Sequence, residues 1–128
     1  MTTSQARGIE ETALAVADRR EAALRTAVKV WAGASTSGTT RRREELIAKK
    51  RKVVESFFAT IGKDPGEVTP VDVQVWCNQM KREDGHRPAA ATIYGQVSFL
   101  SSFYGWAQRE LGLVANPSLL ARPGAPKP

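Results

Sequence analysis

Apolar residues recur along this chain at intervals of three and four, the signature of helix faces. Ile9, Ala13, Val16, Leu24, Ala27, Val28 and Trp31 share one side of a helix, and the alanines between them favour helix intrinsically. The spacing predicts a first helix from about Ile9 to Trp31. Glycine, serine and threonine from Gly33 to Gly38 then read as a break. A second helix is predicted from about Thr40 to Ile61, with Leu46, Val53, Val54, Phe57, Phe58 and Ile61 on its apolar face. Gly62, followed by Asp64, Pro65 and Gly66, supplies C-cap and turn chemistry to stop it. Thr69 as N-cap, Pro70 at the first helical position and Asp72 as a capping-box acid open a third helix, predicted to reach about Arg82 and to bury Val73, Trp76 and Met80.

Residues 83 to 88 read as a loop, and a last helix is predicted from about Ala89 to Leu111. One stripe on it is Ile93, Val97, Leu100, Tyr104, Ala107 and Leu111; a second is Phe99, Phe103 and Trp106. A helix apolar over so much of its circumference belongs at the centre of its domain. Gly112 ends it. The tail from Ala121, with Pro123, Pro126 and Pro128, reads as a linker. No alternating run suggests a strand, so the expected class is all-α, a small helical bundle. The expected organisation is a helical extension over 1–36, a core domain over 37–116 and a Pro-rich linker over 117–128.

Composition narrows the class. The chain has 128 residues, 41% hydrophobic and 25% charged, which suits one globular domain rather than a disordered segment. No run of apolar residues is long enough to span a membrane, and the N-terminus lacks the basic and apolar segments of a secretory signal. A single cysteine, Cys77, allows no internal disulfide; the expected location is the cytoplasm. The net charge is +6, and residues 41 to 52 hold seven basic and two acidic side chains, supplying most of it. Such a concentration favours an anionic partner, nucleic acid above all. The plain alternative is a solvated helix face stitched by pairs such as Glu45 with Lys49.

The order of the parts resembles a family. A basic amphipathic helix ends in Phe57, Phe58 and Ile61-Gly62. A turn leads to Val68, Thr69, Pro70, Val71, Asp72 and Val73. Then comes the run from Thr92-Ile93 through Leu100, Phe103, Tyr104, Trp106 and Ala107, and the segment closes on Asn116-Pro117. From about residue 37 onward this is similar to the core-binding, SAM-like domain of tyrosine recombinases and phage integrases. The chain departs from that family's pattern at Arg43, where a tyrosine often stands, and at Tyr94, Gly95 and Gln96, where basic residues are common. The residues 9 to 31 lie outside the resemblance.

The resemblance implies an orthogonal helical bundle that grips double-stranded DNA at a recombination half-site, in a bacterial or phage-encoded protein. On the basic helix, Arg41, Lys49, Arg51 and Lys52 are placed to reach phosphates, with Arg42 and Arg43 near its start. In the family the first turns of the last helix enter the major groove, and Thr92, Tyr94 and Gln96 match that place. Glutamine can bond adenine through both polar atoms, and a threonine methyl can touch the thymine methyl. Arg87 and His86, in the preceding loop, are candidates for backbone contact. Against these stand plainer roles: a helix-start hydroxyl for Thr92, packing for Tyr94, a solvated loop for Arg87.

No catalytic residues are expected. The family's chemistry needs a tyrosine nucleophile with arginine, lysine and histidine around a phosphoryl group, carried by a domain that would follow the linker. Neither Tyr94 nor Tyr104 matches the nucleophile motif, and His86 is the only histidine. Neither cofactor, metal nor small-molecule substrate is expected, and no membrane partner; the intact protein is expected to self-associate on DNA. A runner-up from another class is a helical protein-interaction module with a basic face, docking through residues 9 to 31.

Overall fold

The computed structural model describes residues 3 to 118, with side-chain environments from residue 13 onward. The chain forms α1 (Thr3–Ala34), α2 (Thr40–Ile61), a 3-10 turn (Pro65–Glu67), α3 (Pro70–Gln79) and α4 (Ala90–Glu110). The described residues are all-α, packed as a small bundle with no strand among them.

The α2 bounds fall where the pattern placed them. Gly62 stops the helix in the left-handed region at φ 69°, and its N–H donates to the Phe58 carbonyl. The Thr69 capping box forms in full: Thr69 Oγ1 accepts from the Asp72 N–H, and the Asp72 carboxylate accepts from the Thr69 N–H. α3 ends at Gln79, three residues short of the expected Arg82. Met80 turns extended and is buried, and the chain then folds back through a turn in which the Arg82 N–H donates to the His86 carbonyl.

One core joins all four helices. Val28, Trp31 and Ala32 from α1 meet Val54, Phe57 and Phe58 from α2, Val73 and Trp76 from α3, and Ile93, Val97, Leu100, Phe103, Tyr104 and Ala107 from α4. Trp31 stacks edge-on against Phe103 and donates through Nε1 to Ser102 Oγ. Phe57 and Phe58 make edge contacts with Trp76 and Phe103. Each such side chain contributes roughly 1.5–3 kcal/mol by leaving water. α4 packs against α1 and α2, the central place its two stripes predicted. Leu46 and Leu111, assigned to buried stripes, are 38% and 53% exposed, in the second turn of α2 and just beyond the end of α4. Neither has a neighbouring helix to cover it.

α1 is longer than expected and divides in two. From Leu24 onward it packs into the bundle, so the segment read as an extension supplies part of the core. Residues 13 to 23 are exposed throughout, and Leu14 is 66% exposed. At the other end, Pro117 and Ser118 are buried, with the Ser118 N–H donating to Asn116 Oδ1 and Asn116 Nδ2 donating to the Ser101 carbonyl. The rest of the expected linker lies outside the described residues.

Candidate nucleic-acid interface

The basic run of α2 divides by the turn of the helix. At about 100° per residue, Arg42, Lys49 and Lys52 fall within about 80° of one another, facing solvent. All three are exposed, and among the described residues none makes an ion pair or a hydrogen bond with another side chain. Arg41, also outward, pairs with Glu45 at 3.5 Å, so Glu45 engages Arg41 rather than Lys49, the partner named for it in the solvated-face alternative. Both partners of that pair are well exposed, which makes it weak and screened by salt.

Two other cations of the run turn inward. Arg43 Nε donates to the Thr36 carbonyl at 3.1 Å and its Nη2 to the Gly33 carbonyl at 2.9 Å. Lys50 is buried, and its Nζ donates to the Ser35 carbonyl, Ser35 Oγ and Thr36 Oγ1. These oxygens lie at the C-terminal end of α1, where helix carbonyls lack partners within the helix and the dipole attracts cations. The Lys50 ammonium also lies over the Trp31 and Phe99 rings at 5.8 and 6.0 Å. Burial lowers the Lys50 pKa. Arg43 and Lys50 therefore bind α1 to α2, Lys50 with all three of its donors and Arg43 with two of its five. Arg51 lies at the edge, 3.6 Å from Glu55; its Nε and the Glu55 Oε1 are shielded from solvent with no hydrogen-bond partner.

The first turns of α4 come beside this face. A polar groove of about 250 Å³ is shared by Ser56 and Thr60 of α2, Gln79 and Lys81 at the end of α3, and Gln96 of α4. Ser56 lies one turn beyond Lys52 on the same side of α2, so the line of free cations runs into the groove that holds Gln96. Thr92 is exposed one turn before Gln96. The N-cap of α4 is Ala89, whose side chain can accept no hydrogen bond, so the helix opens without a side-chain cap. Tyr94, by contrast, lies about 160° around the helix from Gln96. It is half-buried on the side that carries Ser98, whose hydroxyl donates to the Tyr94 carbonyl. Gln96 is brought together with α2, with Thr92 exposed one turn before it; Tyr94 is not.

Arg87 is exposed and opens into a separate notch between α3 and α4. His86 is exposed in the turn, its backbone N–H donating to Asp84 Oδ1. Sequence reasoning missed Ser56, Thr60, Gln79 and Lys81 at the groove. Ser56 and Thr60 were legible as continuations of the Lys49 and Lys52 side of α2; Gln79 and Lys81 depend on where α3 stops.

The tyrosine and cysteine chemistry points inward. Tyr104 is fully buried, and its hydroxyl donates to the Pro65 carbonyl at 2.7 Å. Burial, with a smaller push from Asp72, raises its pKa far above the ordinary phenol value. Burial likewise raises the Cys77 thiol, against an opposing pull from Arg87. Among the described residues there is no cluster of metal-ligating side chains, and no helix long and apolar enough to cross a membrane.

No family model, curated protein or solved structure matches the chain.

Proposed function

We propose that this chain is a DNA-gripping domain of the tyrosine-recombinase type, holding a recombination half-site through backbone phosphates and the major groove. The observation that carries the proposal is one face of α2, on which the free cations Arg42, Lys49 and Lys52 lead toward Ser56 and Thr60, at a groove those two share with Gln96 of α4. The cations neutralise phosphates and release counterions, which sets affinity without reading sequence. Gln96 and Thr92 supply contacts to base edges. The uncapped start of α4 adds backbone N–H groups and the positive end of a helix dipole, both suited to a phosphate. The ordered residues from Thr69-Pro70 through Thr92 to Asn116-Pro117, similar to the SAM-like core-binding domain, support the same assignment. The domain grips and does not cut: Tyr104 is committed to the core, and phosphoryl chemistry is assigned to other parts of a recombinase, which would self-associate on paired sites.

The test separates the two kinds of contact. Replacing Arg42, Lys49 and Lys52 together by Ala lowers affinity for every duplex and flattens its dependence on salt. Gln96→Ala changes the preference among duplexes and leaves the salt dependence intact. Equal effects of both variants on all sequences would contradict the division of roles.

The exposed half of α1 favours a second reading, a protein-interaction module, because Leu14 and Val16 lie uncovered there. That reading predicts a chain that ignores DNA and loses its self-association when Leu14 and Val16 are replaced by Ser.

A further inference from the structure

The notch beside Arg87 stands apart from the α2–α4 groove. Its volume is about 380 Å³, and its walls come from Gln74, Cys77 and Asn78 of α3, Arg87 and Pro88 of the loop, and the start of α4. Arg87 Nη1 reaches the Cys77 carbonyl at 3.5 Å, which anchors one edge of the guanidinium and leaves its other donors to the notch. Among the described residues no carboxylate pairs with Arg87. Gln74 and Asn78 are one turn apart on α3, both exposed, and carry amide donors to the same space.

An unneutralised guanidinium flanked by two carboxamides complements an oxyanion with several acceptor oxygens. We infer that this notch is a phosphate seat, formed by Arg87, Asn78 and Gln74, that takes one backbone phosphate of the duplex beyond the α2–α4 groove. The inference rests on the DNA-binding proposal for its ligand's source, while the phosphate chemistry stands by itself. Pro88 lies at both the notch and the groove, so a strand leaving the groove past the start of α4 meets Arg87 next.

The experiment has two arms on the full chain, with Arg87→Gln and Asn78→Asp, both at exposed positions. In the first arm a 20-base-pair duplex is titrated from about 50 to 200 mM salt. Arg87→Gln is expected to reduce the slope of log affinity against log salt by about 0.9, the value of one phosphate contact. An unchanged slope, where the parent chain binds with a steep one, overturns the duplex phosphate and leaves the DNA proposal standing. In the second arm inorganic phosphate is titrated while the side-chain amide NMR signals of Gln74 and Asn78 are followed. Saturable shifts that vanish in Arg87→Gln and weaken in Asn78→Asp support the seat even if the parent chain binds no duplex. Signals that do not move overturn it.

Discussion

Tyr104 ties the last helix to the turn after α2 through a single hydrogen bond to the Pro65 carbonyl. Removing the hydroxyl leaves that carbonyl without its partner at a part-buried site, so Tyr104→Phe should lower stability by about 1–2 kcal/mol in a denaturant titration. Asp72 works at the opposite end of the polarity scale. The backbone N–H of Thr69, and then Lys63, hold its carboxylate below the ordinary value of 3.8. A lowered folded value means that the unfolded chain takes up the proton first as pH falls. The contribution is therefore complete above 3.8 and disappears as pH drops through the lower folded value. Asp72→Asn should shrink this part of the acid-induced fall in stability, read as the melting temperature from pH 5 to pH 2. The Thr69–Asp72 box was plain in the sequence because its logic is local. Lys50 was not: its position seven residues after Arg43 places both on the apolar side of α2, yet their partners are oxygens of a segment that read only as a break.

At the level of elements, the strongest local signals marked the boundaries well. The left-handed glycine at 62 and the capping box at 69 act within one turn, so α2 and the start of α3 were legible. The end of α3 was not, because residues 81 to 84 are compatible with helix and it is the burial of Met80 that turns the chain. The periodicity of α1 showed its face but not where a partner covers it. Trp31→Ala should lower stability by about 3–5 kcal/mol, whereas Leu14→Ser, in the exposed half, should change it by no more than about 0.5 kcal/mol. α2 carries two kinds of cation within one basic run. Arg43→Ala should act on stability, by about 1–3 kcal/mol, and leave the salt slope of duplex binding unaltered. A slope that falls with Arg43→Ala as it does for the outward cations would place Arg43 at the DNA instead.

For the whole molecule, charge by itself left nucleic acid and a solvated surface close together. The DNA proposal rests on arrangement: three free cations lie on the face of α2 that leads to the groove with Gln96, while Arg43 and Lys50 hold the bundle and Tyr94 faces elsewhere. The all-α class, the helix order and most of the core were readable from periodicity alone. The groove was not, since it exists only where α2, α3 and α4 converge. The most direct measurement is the affinity of the full chain for a labelled duplex at about 50 and 200 mM salt. With three or four phosphate contacts the proposal predicts a loss of roughly 40- to 150-fold across that range. Affinity that does not change with salt, or no binding at the lower concentration, would contradict it.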